Sequence, residues 1–187
     1  KKSAIAALGY IGYRTAADAV IPYLKDDVEA IRVTAAGALG LMGNRDGLQT
    51  AIKGCDSMDL AVKRDAIIAL GFIGGTEAKT KIEELLKTPD SRWKSYQLIS
   101  KHRMELEDDT RQMPVMDKIG RLKDLLDNKN KRLAQWAVEQ LGEIGSSNKF
   151  KKEERDEAIK TLKEKRQEDT KIGLLSERQL RLLKVKD

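Results

Sequence analysis

Histidine occurs once in this chain, at His102, and cysteine once, at Cys55. A Ser-His-Asp or Cys-His scheme would have to run through His102, because the imidazole is the proton carrier in both. His102 stands between Lys101 and Arg103 with no motif around it, so it reads as a surface or packing residue. One histidine and one cysteine fall short of the ligand set that zinc needs. Glu105, Glu107, Asp108 and Asp109 could attract Ca²⁺ or a basic partner, but they lack EF-hand spacing and read as a solvated loop. Gly40, Gly43 and Gly47 make no phosphate loop, since no Gly-Lys-Ser/Thr follows. No catalytic residue, metal ligand or cofactor is assigned. What remains is adhesive chemistry. Arg32, Lys63 and Lys94, with Lys1 before them, recur at one spacing and form a possible basic ladder. Such a ladder could grip phosphates or acidic peptides, or each cation could pair with a carboxylate of the preceding turn, such as Asp27 or Asp59.

The elements that position these residues come from an internal repeat. Ala7-Leu8-Gly9-Tyr10-Ile11-Gly12 returns as Ala38-Leu39-Gly40-Leu41-Met42-Gly43 and as Ala69-Leu70-Gly71-Phe72-Ile73-Gly74, a period of 31 residues. A looser fourth copy reads Gln140-Leu141-Gly142-Glu143-Ile144-Gly145. A fixed period of this size marks stacked supersecondary units, and each unit reads as two helices. Val62, Ala66, Ala69, Leu70 and Ile73 fall on one face of a second helix. Gly71 is read as a point of close helix approach and Gly74 as the residue that ends the helix with positive φ. First helices are expected to start at Thr15 and Thr76, with Asn44 capping the one between, and Pro22 is expected to kink its helix.

The fourth unit is degenerate. Asp90–Arg103 aligns as its second helix, with Lys101-His102 in the Leu-Gly position, and an insertion is placed between about 104 and 114. Residues 115–127 and 129–145 rebuild a regular pair. A charged helix over about 149–166 reads as a terminal cap, and Ser176-Glu177-Arg178-Gln179 reads as a capping box opening a short apolar helix. The domain expectation is a repeat array over 1–145 and a capping segment over 146–187. Lys2-Ser3-Ala4-Ile5 aligns with the inside of a second helix, so the array is read as beginning in mid-repeat, its N-terminus missing.

Charge adds a limit. Residues 1–146 hold 23 Lys/Arg against 21 Asp/Glu, while 147–187 hold 13 against 9. The net +6 is therefore concentrated in the tail, and an electrostatic footprint for nucleic acid on the body is not expected. No apolar run reaches the ~18 residues of a membrane span and no secretory signal is present. The compartment stays undetermined, with the cytoplasm as default, and so does the oligomeric state.

Ile31-Arg32-Val33-Thr34-Ala35-Ala36-Gly37-Ala38-Leu39-Gly40 and Val62-Lys63-Arg64-Asp65-Ala66-Ile67-Ile68-Ala69-Leu70-Gly71 resemble the HEAT-repeat superfamily. The nearest subtype is the short repeat named for phycobilisome lyases. The resemblance covers about residues 1–145. It implies an all-α, right-handed α-α superhelix, a solenoid of about five helical pairs whose second helices line the concave face. The iron-binding hydroxylases of this superfamily need paired His-Glu motifs, which a single histidine excludes.

In this family the residue after the first glycine is usually polar, yet here it is Tyr10, Leu41 and Phe72. Together with Tyr96 and Trp136, these are expected to form an apolar strip that binds a protein segment, an amphipathic helix or an extended peptide. The competing reading packs Tyr10, Leu41 and Phe72 between adjacent second helices. The expected function is a non-enzymatic interaction scaffold. The alternatives are a bilin-lyase-type enzyme or subunit, implied by the shared repeat, and a nucleic-acid-binding solenoid.

Overall fold

The computed structural model describes residues 1–88, 90, 92–107, 113–167 and 171–183. Among them are eleven α-helices and no strand. The chain divides into two compact units, Lys1–Arg111 and Gln112–Asp187. That division falls inside the interval where the sequence places its insertion.

In unit 1 the second helices are α1 (Lys2–Ile11), α3 (Glu29–Leu41), α5 (Leu60–Ile73) and α7 (Lys94–Leu106). Each packs against the next, so the four form one layer. The other layer holds α2 (Ala17–Val20), α4 (Leu48–Gly54) and α6 (Gly75–Lys87). Between the layers Val20, Leu39, Ile67, Leu70 and Ile82 are completely buried, each contributing about 1.5–3 kcal/mol of apolar burial. Val62, Ala66, Ala69, Leu70 and Ile73 all lie in this core, on the single face that their spacing specifies.

Glycine sets how closely the second helices approach. A Cβ on Gly9 would come within 2.7 Å of Ala38 Cα, one on Gly40 within 2.9 Å of Ile73 N, and one on Gly71 within 2.9 Å of Ser100 Cα. Those distances leave no room for a methyl group. Across the last crossing the Ser100 hydroxyl donates to the Ile67 carbonyl oxygen at 2.8 Å. Gly12, Gly43 and Gly74, ending the same helices, all have positive φ. Gly74 differs from the sequence expectation in ψ, which is −165°, so it lies outside the left-handed helical region.

The first helices depart from expectation in three places. Thr15 caps nothing: it lies in a 3-10 turn, Arg14–Ala16. Pro22 does more than kink a helix. It lies in the first turn of a second 3-10 segment, Ile21–Lys25, and leaves α2 only four residues long, because its ring lacks the N–H an α-helix interior requires. Asn44 accepts from the Asp46 N–H at 2.7 Å, closing a turn, and α4 starts after Gly47. The strong cap is Asp59, whose carboxylate accepts from the N–H groups of Ala61 and Val62, an arrangement worth about 1 kcal/mol.

Unit 2 holds α8 (Val115–Leu125), α9 (Lys131–Ser146), α10 (Lys152–Arg166) and α11 (Lys171–Leu182). Leu122, Leu133, Leu141 and Leu162 form its interior. Ser176 does not open a helix, since α11 begins five residues earlier and buries Ser176 completely. Gln179 lies over Gly142, where any side chain would displace it. Val185 lies outside the described residues.

Candidate functional site

The face of the second-helix layer turned away from the core carries a cleft of about 180 Å³ in unit 1. It runs along α3, with α1 on one side and α5 on the other. One end is apolar: Tyr10, Leu41 and Phe72, the same repeat position in three successive helices, come together there. Tyr10 is 76% exposed, while Leu41 and Phe72 are half-buried. The floor is another repeat position, occupied by Ala6, Gly37 and Ile68. The other end is polar. Lys2 Nζ reaches across to Asp65 Oδ2 at 3.1 Å, and Arg64 binds the same carboxylate through Nε at 2.9 Å and Nη2 at 2.7 Å. That bond favours the charged guanidinium and raises its pKa above the ordinary arginine range.

The residues of the expected strip differ in their surroundings. Phe72 does meet a neighbouring second helix, for Arg103 of α7 lies over its ring. Tyr10 remains open to solvent. Tyr96 is half-buried on α7 and packs against the core cluster of unit 1. Trp136 is only 5% exposed and belongs to the interior of unit 2, so it presents no ring to a partner there. Arg103 carries a signal that a count of 31 from Phe72 would have found, because it holds the same repeat position in the degenerate fourth unit.

The basic ladder is unevenly engaged. Arg32 Nη1 donates to the carbonyl oxygens of Asp26 and Asp27 at 2.8 and 2.9 Å, so the preceding turn holds it through backbone rather than through the expected carboxylate. Lys1 approaches Asp26 at 3.7 Å. Lys63 is half-buried and Lys94 exposed.

The residues with catalytic potential stand apart. Cys55 is buried beneath α4 and α5, and burial pushes its thiol pKa up to about 12, which keeps it protonated and a poor nucleophile. His102 Nδ1 lies 3.3 Å from Glu105 Oε2, and Lys101 approaches Glu105 at 3.8 Å. Glu107 is exposed at the end of α7, and Asp108 and Asp109 lie outside the described residues. Among the described residues no group of His, Cys, Asp or Glu is arranged to hold a metal, and no helix is long and apolar enough to cross a membrane.

A family model described as HEAT repeats matches residues 1–57 and 29–97. No curated protein matches the chain. Among solved structures it is similar to the complex of CpcE and CpcF of phycocyanin lyase from Nostoc sp. PCC7120, at 20% identity and a TM-score of 0.42, covering 97% of this chain and 88% of that one.

Proposed function

This chain belongs to the HEAT-repeat family, and from that premise we propose that it is a non-enzymatic scaffold that binds a segment of another protein in the cleft over α3. Tyr10, Leu41 and Phe72 are the anchors, with Tyr96 further along the same layer. Trp136 is left out of the proposal because it is enclosed in unit 2.

The observation that carries this reading is the exposure of Tyr10 beside the half-buried Leu41 and Phe72 around one hollow. A large ring left in water next to other apolar side chains is the arrangement expected at a binding surface. Aromatic anchors near the centre of an interface contribute about 2 kcal/mol or more each. The chemistry of the lining points the same way: it holds one lysine and one carboxylate, paired with each other, and neither thiol nor imidazole.

The test compares wild type with a Tyr10→Ala, Leu41→Ala, Phe72→Ala variant as baits. Proteins captured by wild type should be lost from the variant while its helicity stays near wild type and its unfolding remains a single cooperative transition. Identical capture by both would remove this cleft from consideration.

A further inference from the structure

Resting on the reading of the cleft as a binding site, we propose that its occupant is an acidic amphipathic segment. This segment places an aliphatic side chain over Gly37 and a carboxylate against Lys2 and Arg64.

The first support is steric. Ala6 and Ile68 occupy the repeat position of Gly37 on the flanking helices. At Gly9, Gly40 and Gly71 a Cβ would collide with the next helix, but at Gly37 it would stand 3.5 Å from Ala69 Cβ, an ordinary contact. Packing therefore does not require a glycine here, in the middle of α3, where glycine is the poorer helix former. What its missing side chain provides is depth: the floor sinks between Ala6 and Ile68, at a place where an incoming aliphatic group can seat.

The second support is charge. Asp65 is a single carboxylate shared by two cations, Lys2 and Arg64, which remain 49% and 41% exposed. The polar end thus carries one uncompensated positive charge facing solvent. Complementary charge at the rim of an apolar hollow selects the partner's sign and speeds encounter more than it adds affinity.

Spacing defines the segment. Thr34 and Leu41 mark the polar and aromatic ends on α3, about 10 Å apart at 1.5 Å per residue. Two turns of helix bridge that length. A helical occupant would carry its carboxylate at i, its seated aliphatic side chain near i+4 and a further apolar contact near i+7.

The test uses three fluorescein-labelled amphipathic helical peptides of about 15 residues, identical in leucine spacing and carrying Glu, Gln or Lys at the flanking positions. A single-stranded oligonucleotide is the fourth probe. The Glu peptide should bind about 10-fold more tightly than the Lys peptide at low salt, with the gap narrowing as salt rises. Lys2→Gln with Arg64→Gln should erase or reverse that preference, because Asp65 is then left without a cation. Gly37→Leu, which fills the hollow, should weaken the Glu peptide by about 10-fold or more in a protein whose unfolding midpoint shows that it is folded. If Gly37→Leu blocks all three peptides and charge makes no difference, the cleft stands as a binding site and the acidic occupant is overturned. If Gly37→Leu leaves binding intact, the reading of the cleft falls as well. Failure of every peptide to bind, or tighter binding of the oligonucleotide that ignores Gly37→Leu, also overturns the proposal.

Discussion

The guanidinium carbon of Arg103 stands 4.4 Å from the centroid of the Phe72 ring. These residues are one period of 31 apart, so a cation occupies the fourth place in a row that begins Tyr10, Leu41, Phe72. The contact covers one face of the ring with charge and ties α5 to α7.

A cation over a partly exposed ring is worth about 0.5–1 kcal/mol. Phe72→Leu, which keeps apolar volume and loses the ring, should lower unfolding stability by about that amount, and Arg103→Met should do the same. A double-mutant cycle in urea should show coupling, because the two losses are one interaction. Additive losses would mean that the ring and the guanidinium are merely neighbours. Phe72→Ala should weaken binding to the proposed partner segment more than it lowers stability, and equal losses would mark Phe72 as core.

Two kinds of glycine should separate on the same measurement. Gly40→Ala and Gly71→Ala force a methyl against Ile73 and Ser100, and each should cost about 1–3 kcal/mol. Gly37→Ala meets only an ordinary contact with Ala69 and should leave stability unchanged or raise it by up to about 1 kcal/mol. Equal destabilisation at all three positions would show that α3 cannot take a side chain at Gly37 after all.

Cys55 supplies a pH dependence. Its thiol pKa rises from an ordinary 9.0 to about 12, chiefly through burial, so the folded state holds a proton that the unfolded state releases. Stability from this group is complete below pH 9 and falls as pH climbs from 9 toward 12, with a limiting slope of about 1.4 kcal/mol per pH unit. Cys55→Ala should flatten that part of the curve. In the native protein a thiol reagent at pH 8 should react only as fast as the chain opens, and immediate reaction would show an accessible thiol.

The repeat was legible because each unit states its core face and its closing glycine in the same six residues; Gly71 reads from the sequence as a close approach, and Gly9 and Gly40, at the same repeat position, prove to be close approaches too. The first helices were less legible. Their ends depend on turn chemistry that competes with capping: Asn44 holds Asp46 instead of a helix, and Pro22 leaves α2 a single turn. Ser176 looked like a cap because its i+3 partner is Gln179, yet Gln179 packs over Gly142 and the helix runs through both. Trp136 has the helical phase of the strip, but phase within a repeat does not say what covers the residue in another unit. The cleft itself was half visible. Its aromatic end follows from one repeat position, whereas the Lys2–Asp65 bridge joins different positions of repeats two apart, which a periodic count does not pair.

Only Gly74 separates the end of α5 from the start of α6, and Gly74 and Gly75 both have positive φ. So tight a reversal leaves almost no chain to be ordered when these two helices meet, and short-range closure is the least demanding step in bringing helices together. Assembly of unit 1 should therefore begin at its middle, with α5 and α6, and spread outward to α3 and α7. Kinetic φ-values for Ile67→Val and Ile82→Val should exceed that for Ile5→Val. A chain whose helices form in order from α1 would show the reverse.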